Sequence, residues 1–125
     1  ARTVVPDQLK MSDVVFNLQR SALTVAALIG GQYRFLRESL RDKLHQPYRA
    51  SLIPGLQEIL ELNDREIPNL LGLSLSGAGP SVVAFIQGDG RDVFEQVQSI
   101  FNRQGVACSP LELKIDNQGR SIRGS

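Results

Sequence analysis

The segment of this sequence best suited to chemistry is a glycine-rich turn, Ser76–Ser81, which lies between two apolar runs. Gly77 and Gly79 can adopt positive φ angles, and they let a ligand or another backbone approach closely. Successive N–H groups in such a turn can bind an anion. Because an isolated Gly-x-Gly is also common in plain hairpin loops, the spacing alone supports a simple hairpin equally well. The turn is not a Rossmann fingerprint, since no predicted helix follows it, and not a Walker A loop, since no Lys-Ser or Lys-Thr follows it.

Few other side chains are candidates for a site. Arg49 could hold a carboxylate through two parallel hydrogen bonds, but as an isolated residue it is better explained by a surface ion pair. Asn17 and Arg20 lie three residues apart on one face of a predicted helix. They could point into a cleft, but we favour a solvated face, because such residues are usually exposed. His45 is the only histidine and Cys108 the only cysteine, which argues against a dedicated zinc site and an internal disulfide. We expect Cys108 to be packed, in a reducing compartment.

Hydrophobic spacing predicts the elements that must position these residues. Apolar residues recur every three or four positions in some stretches, and they alternate or run continuously in others. The predicted helices cover residues 13–29, 32–43, 50–62 and 91–103, and the predicted strands cover 70–75, 82–86 and 106–115.

Individual residues predict several boundaries and faces. Ser12 is the expected N-cap of the first helix, and Gly30 follows its expected end. Pro47 predicts a break at Gln46, and Pro54 is expected in the first turn of the third helix. One face of the first strand is predicted to carry Leu71, Leu73 and Leu75. One apolar face of the first helix is predicted to consist of Val14, Val15, Leu18, Ala22, Val25 and Ile29.

The order of helices, hairpin, helix and strand favours an α+β fold, with the helices packed on one face of a small antiparallel sheet. The closing β-β-α-β order is compatible with a ferredoxin-like, split βαβ unit, whose missing strand would come from residues near 1–5. A length of 125 residues suffices for one domain over residues 1–125.

The composition excludes several classes of protein. Hydrophobic residues make up 42% of the chain and charged residues 22%, as in ordinary globular domains. A net charge of +1 gives no strong attraction to nucleic acid or anionic membranes. No apolar run approaches the roughly 20 residues of a membrane-spanning helix, and the first residues lack the apolar core of a signal peptide. We therefore expect a cytoplasmic protein.

Three segments resemble motifs of one kinase superfamily. Ser74–Phe85, which contains the glycine-rich turn, is similar to the third conserved motif of the GHMP kinases (galactokinase, homoserine kinase, mevalonate kinase and phosphomevalonate kinase). Asp42–Gly55, with Pro-Tyr-Arg followed by Leu-Ile-Pro-Gly, is similar to the homoserine kinase pattern. Ala1–Pro6 resembles an Ala-Arg…Leu-Pro segment of that family. The resemblance extends over essentially the whole chain, but only to the C-terminal portion of the family.

The resemblance implies a two-domain enzyme that uses ATP and magnesium to phosphorylate the side-chain hydroxyl of L-homoserine, on the route to threonine. It implies an N-terminal domain whose Pro-x-x-x-Gly-Leu-Gly-Ser-Ser-Ala loop holds ATP, and that loop has no counterpart in this sequence. The chain would then be the C-terminal domain, with its own ATP-binding domain as partner. We expect no bound cofactor and no kinase activity for this piece alone. A homodimer is compatible with the resemblance, although the sequence defines no interface.

The resemblance also implies roles for particular residues. Arg2 and Arg49 would bind the carboxylate of homoserine, since a guanidinium suits bidentate recognition. The turn made by Ser76, Gly77, Ala78, Gly79, Pro80 and Ser81 would line the cleft and brace the phosphate loop. No residue of this chain is predicted to be catalytic or to bind metal. We include His45 in that statement because homoserine kinases often have another residue type at its position.

Two other functions stay open at this point. The chain could belong to another GHMP kinase, with mevalonate, shikimate or a sugar as acceptor, and a substrate panel would separate these. It could instead be a non-catalytic ferredoxin-like ligand-binding module, since such folds host many unrelated functions.

Overall fold

A computed structural model describes residues 5–119 of the chain, and it shows an α+β arrangement in which a hairpin is surrounded by helices. The strands are β1 (Leu70–Leu75) and β2 (Val82–Ile86). The α-helices are α1 (Met11–Ile29), α2 (Leu36–Ser39), α3 (Gln46–Ala50), α4 (Leu56–Leu60) and α5 (Arg91–Arg103), and 3-10 helices cover Tyr33–Phe35 and Glu61–Asp64.

Strands β1 and β2 pair in antiparallel fashion, with one irregularity. A bulge between Leu70 and Gly72 shifts the register there, and such a bulge changes which side chains share a face. The buried leucines of β1 are consequently Leu70, Leu73 and Leu75, whereas Leu71 is only half-buried. The predicted face of Leu71, Leu73 and Leu75 is wrong at its first member, because hydrophobic alternation does not reveal a bulge.

The main core lies between one face of this hairpin and helices α4 and α5. Its buried members are Ile59, Leu62, Ile67, Leu70, Leu73, Val93, Ile100 and Phe101. On the other side of β1, α2 approaches so closely that a Cβ added to Gly72 would lie 2.9 Å from the carbonyl carbon of Leu36. A glycine is therefore required where α2 crosses the strand.

Side chains satisfy the backbone of β1 along the edge that faces away from β2. The Asn63 amide donates to the Leu73 carbonyl oxygen at 2.7 Å and accepts the Leu73 N–H at 2.9 Å. Arg37 donates to the Leu70 carbonyl oxygen at 2.8 Å. These bonds replace those that a further strand would provide.

The two long helices agree with the predictions, apart from one cap. Helix α1 begins at Met11 with Lys10 as N-cap, so the predicted cap at Ser12 is wrong; its end at Ile29, followed by Gly30, is confirmed. Helix α5 has the predicted bounds. The predicted helix over residues 32–43 is shorter, because a 3-10 turn precedes α2 and α2 ends at Ser39.

Both proline predictions need correction. Pro47 does not exclude Gln46 from a helix. Helix α3 begins at Gln46, and the proline lies in its first turn, where a missing N–H costs little. Pro54 precedes α4 rather than entering it. Gly55, at a φ of +84°, is the N-cap from which α4 starts.

The predicted last strand is wrong in this structure. Residues 106–116 form no helix or strand, and Leu111, Leu113 and Ile115 are 69–79% exposed. A strand needs the backbone of a neighbouring strand to bond with, and within residues 5–119 this segment pairs with none. The strand expected from residues near 1–5 falls mostly on residues 1–4, outside the described residues. Cys108 is partly buried against the core, as expected.

The α+β fold class is confirmed, with helices packed on a small antiparallel sheet. In the part of the chain that the structure describes, no helix has both the length and the apolar character needed to cross a membrane.

Candidate functional site

The predicted glycine-rich turn is a tight loop that joins β1 to β2. The Ser76 N–H donates to the Ser81 carbonyl oxygen at 2.8 Å, and the Gly79 N–H donates to the Ser76 carbonyl oxygen at 3.0 Å. Gly77 and Gly79 have φ angles of +56° and +79°. A Cβ at Gly79 would lie 2.7 Å from the Ile53 side chain, whereas the space beside Gly77 is open. Gly79 thus packs the turn onto the domain, and Gly77 presents bare backbone at its tip.

The structure places Arg49 directly against this turn. Arg49 lies in the last turn of α3, and its Nη1 donates to the Ala78 carbonyl oxygen at 3.0 Å. Its buried Nε has no hydrogen-bond partner among residues 5–119. Two parts of the predicted site, 29 residues apart in sequence, are therefore neighbours. The other predicted arginine, Arg2, lies outside the described residues.

A buried glutamine ties α3 to the strand that leads into the turn. Gln46 donates from Nε2 to the Leu40 carbonyl oxygen at 3.0 Å and accepts the Leu75 N–H at 2.9 Å through Oε1. Both ends of one amide are thus bonded, and the residue is only 8% exposed. Because Leu75 immediately precedes the turn, Gln46 fixes the distance between α3 and the turn. The sequence pattern marked Gln46 only as a predicted break and gave no signal of this positioning role.

Asp42 fixes the start of α3. Its carboxylate accepts backbone N–H bonds from Leu44 at 2.6 Å, His45 at 3.1 Å and Gln46 at 2.8 Å. It also accepts a bond from the Asn17 amide of α1 at 2.6 Å. Burial raises the pKa of Asp42, but the bonds from Asn17 and the three N–H groups outweigh it and hold the pKa below its usual 3.8. Asp42 therefore stays charged at neutral pH and acts as a structural anchor.

The expectation that Asn17 and Arg20 lie on a solvated face is wrong. Both line a cavity of about 340 Å³ between α1, the segment 39–46 and the end of β1 at Ser74–Gly77. Arg20 stacks its guanidinium on the Phe16 ring at 3.3 Å and pairs with Glu38. Its buried Nε has no partner within the described part of the chain. The polar positions of α1 at spacings of three and four, which include Asn17, Arg20, Ser21 and Thr24, were the available signal.

His45 lies at the mouth of this cavity. Its side chain is 58% exposed, and Nδ1 is 3.6 Å from a carboxylate oxygen of Asp42. That its imidazole takes no part in chemistry stays a prediction. In the chain between Val5 and Gly119, no three His, Cys, Asp or Glu side chains come together as metal ligands.

With this geometry in view, similar proteins identify the fold. The family model for the C-terminal part of the GHMP kinases matches residues 24–104, which is more than half of the chain. The chain belongs to the GHMP kinase C-terminal family. The resemblance seen in the glycine-rich turn is thereby confirmed over residues 24–104.

Named relatives of this GHMP kinase domain are homoserine kinases. The chain is 44% identical to the homoserine kinase of Solibacter usitatus over 95% of its length, and 45% identical to that of Schizosaccharomyces pombe over 98%. A crystal structure of homoserine kinase from Cytophaga hutchinsonii superposes with a TM-score of 0.73 at 26% identity, covering 85% of this chain and 34% of that one. The chain spans only 38% and 37% of the two relatives' lengths.

Proposed function

We propose that this chain is the C-terminal domain of a homoserine kinase, which transfers the γ-phosphoryl group of ATP to the side-chain hydroxyl of L-homoserine. The products are O-phosphohomoserine, ADP and a proton. The observation that carries the proposal is the contact between Arg49 and the glycine-rich turn, at 3.0 Å. This contact supports the proposal because a guanidinium is suited to binding a carboxylate and the backbone of such a turn is suited to phosphate. The names of the relatives support homoserine as the acceptor.

We assign the binding of the homoserine carboxylate to Arg49. The Ala78 carbonyl oxygen occupies one N–H of Nη1 and so orients the guanidinium plane. The remaining N–H groups can donate two parallel bonds to a carboxylate, the geometry in which arginine outperforms lysine. Together with Arg2, it would hold the acceptor while its hydroxyl points towards the transferred phosphoryl group.

We propose that the glycine-rich turn, Ser76–Ser81, lines the nucleotide side of the cleft. The N–H groups of Gly77 and Ala78 donate no hydrogen bond within residues 5–119, so they are available to an anion or to another backbone. The open space beside Gly77 allows such an approach. When bound, ATP and magnesium would supply the phosphoryl group and neutralise its charge. We assign the metal ligands and most triphosphate contacts to an N-terminal ATP-binding domain.

The hydrogen bonds of Asp42 and Gln46 fix the position of Arg49. Catalysis of phosphoryl transfer depends mainly on positioning and charge stabilisation. Asp42 fixes the start of α3 and Gln46 fixes its distance from β1, so the Arg49 side chain has one place from which to reach both the turn and a ligand.

The test is kinetic, on the full-length protein. Arg49→Ala removes a charge-assisted contact of roughly 1.5–3 kcal/mol, so kcat/KM for homoserine should fall by about 10- to 150-fold. The KM for ATP should change little. Arg65→Ala is the matched control, because Arg65 is exposed and its side chain makes no hydrogen bond in the described residues. An unchanged kcat/KM for homoserine in Arg49→Ala would remove Arg49 from the site.

A substrate panel tests the acceptor separately. We expect phosphorylation of L-homoserine and not of mevalonate, shikimate or galactose. Preferential turnover of one of the latter would keep the kinase family and overturn the substrate. We also assign the protein to the cytoplasm, which is consistent with its single, unpaired Cys108.

A further inference from the structure

One side of helix α1 is bonded to the segment that leads into α3. The bonding residues follow one another at intervals of 4, 3 and 4 and so share one helix face: Asp13, Asn17, Arg20 and Thr24. All four bond within residues 38–43. The Thr24 hydroxyl, for example, donates to the Ser39 carbonyl oxygen at 3.2 Å, and Asp13 lies 3.7 Å from Nζ of Lys43.

The apolar face that the sequence predicts for α1 does not take part in this contact. Three of its members, Leu18, Val25 and Ile29, are 66%, 56% and 84% exposed. The side of α1 that faces residues 38–43 is its polar side. Hydrogen bonds, which require matched donors and acceptors at short range, therefore set the register between α1 and this segment.

Asn17 is bonded at both ends of its amide. Its Nδ2 donates to Oδ1 of Asp42 at 2.6 Å, and its Oδ1 accepts the Lys43 N–H at 2.9 Å. A carboxylate only accepts and a backbone N–H only donates, so the side chain between them must present one donor and one acceptor. An aspartate at position 17 would offer acceptors alone. The contact of α1 with residues 42 and 43 is therefore specific to an amide.

The carboxylate that Asn17 holds is the one on which α3 begins. Asp42 accepts the N–H of Gln46, the first residue of α3, at 2.8 Å. Arg49 lies in the same helix, and its own N–H donates to the His45 carbonyl oxygen at 3.1 Å. Two hydrogen bonds and one helical turn thus connect Asn17 to Arg49. Because α3 has only five residues and would not persist alone, a shift of Asp42 also shifts Arg49.

We propose that Asn17 is a positioning residue for phosphoryl transfer: by holding Asp42 it fixes α3, and so keeps Arg49 where it can bind the carboxylate of the acceptor. This step rests on the proposed function, in which Arg49 binds that carboxylate. Asn17 acts through Arg49 rather than on the substrate. A misplacement of about 1 Å can cost roughly 100-fold in rate, so a bond this far from the ligand can affect catalysis.

Steady-state kinetics of the full-length protein test the proposal. Asn17→Asp sets a second carboxylate against Asp42 in place of a donor, which like charges disfavour. The kcat/KM for homoserine should fall by about 5- to 50-fold, while the KM for ATP should stay within about twofold of its original value. Asn17→Ala loses both bonds without adding a charge. It should show a smaller fall of the same kind, and it carries the test if Asn17→Asp does not fold.

Two controls separate position from charge and from stability. Gln19→Glu makes the same change from amide to carboxylate at an exposed position of α1. Val93→Ala lowers stability through the main core, to which no residue of α3 belongs. Both should leave kcat/KM for homoserine within about twofold of the original. A fall in Val93→Ala as large as that in Asn17→Asp would attribute the effect to lost stability and overturn the proposal.

A double-mutant cycle tests whether Asn17 acts through Arg49. In an Arg49→Ala background, Asn17→Asp should change kcat/KM by less than about twofold, because the group that it positions is already gone. A loss as large as in the unmodified background would contradict the proposed route.

Exchanging the two side chains tests the bond itself. In the double variant Asn17→Asp with Asp42→Asn, the amide at position 42 can donate to the carboxylate at position 17, which can still accept the Lys43 N–H. Its kcat/KM should exceed that of Asn17→Asp alone by about threefold or more, since a charge-assisted bond is restored. It should remain below that of the unmodified protein, because an amide at position 42 has one oxygen fewer for the N–H groups at the start of α3. A double variant no faster than Asn17→Asp would show that the bond is not the cause.

Failure of this proposal is distinguishable from failure of the proposed function. If Arg49→Ala lowers kcat/KM for homoserine but Asn17→Asp and Asn17→Ala do not, Arg49 binds the acceptor without help from Asn17, and only the positioning role is overturned. If Arg49→Ala leaves kcat/KM unchanged, the proposed function loses its carboxylate-binding residue and the role of Asn17 falls with it.

Discussion

Replacing Asp42 tests whether one carboxylate holds the site together. Asp42→Ala deletes an acceptor of four hydrogen bonds, from the Asn17 amide and from the N–H groups of Leu44, His45 and Gln46. A lost helix-cap acceptor costs about 0.5–2 kcal/mol, and a lost bond between a buried amide and a charged group costs about 1.5–3 kcal/mol. Since the bonds share one acceptor and are not additive, we expect the free energy of unfolding to fall by about 2–4 kcal/mol.

Urea denaturation of the 125-residue chain measures this change. Asp42→Asn keeps one oxygen acceptor and should lose only about half as much, since asparagine caps helix starts nearly as well as aspartate. Asp7→Ala, at an exposed position, is the control and should be within about 0.5 kcal/mol of the unmodified chain. A loss below about 0.5 kcal/mol for Asp42→Ala would show that the network contributes little, and the role given to Asp42 in positioning Arg49 would be withdrawn.

Three further predictions address pH, the strand crossing and ligand binding. The folded-state pKa of Asp42 lies below its unfolded value, so the stabilisation by its carboxylate is present above about pH 4 and is lost as the pH falls through the folded pKa. The difference in free energy of unfolding between the unmodified chain and Asp42→Asn, measured by urea denaturation from pH 7 to pH 3, should therefore narrow in acid. A difference that widens would contradict this. Gly72→Ala should destabilise the chain by about 2 kcal/mol or more, because the new Cβ would meet backbone atoms of α2 at 2.9–3.0 Å. Gly90→Ala is the control, since neither glycine has a positive φ and the Cβ at Gly90 would make only ordinary contact with the Ile86 side chain at 3.4 Å. A smaller loss of melting temperature for Gly72→Ala than for the control would show that α2 can shift. Calorimetric titration of the 125-residue chain with L-homoserine should show a dissociation constant in the millimolar range or weaker, since water-exposed ion pairs contribute only about 0–1 kcal/mol each. Robust ATP turnover by this chain would refute the assignment of ATP binding to a separate N-terminal domain.

The elements that the sequence predicts well are those whose pattern is local. The periodicity of α1 and α5 extends over several turns, and β1 and β2 flank an unmistakable glycine-rich turn, so their existence and approximate bounds follow from neighbouring residues. The short helices are different. Helix α3 has only five residues and would not persist alone; it exists because Asp42 and Gln46 bind it to the rest of the domain.

The candidate site was predictable in its parts but not in its assembly. The resemblance of two motifs selected Arg49 and the turn, and the structure brings them into contact. No spacing rule predicts that Asn17 bonds to Asp42 or that Gln46 bonds to Leu75, because those bonds join residues 25 and 29 positions apart in sequence. Polar residues on α1 were assigned to solvent because such residues usually are exposed, and Arg20 is an exception made possible by Phe16 and Glu38.

The bonds of Asn63 and Arg37 to β1 determine the direction in which the sheet can grow. At the edge of β1 that faces away from β2, side chains already bond to the backbone of Leu70 and Leu73. An incoming strand therefore finds no free donors or acceptors at those positions. Any strand added to complete the sheet must join beside β2. The same asymmetry protects the domain from assembling into extended β-sheets, which require two unpaired strand edges. A further strand can pair with β2, but the hairpin cannot pair with one strand on each side.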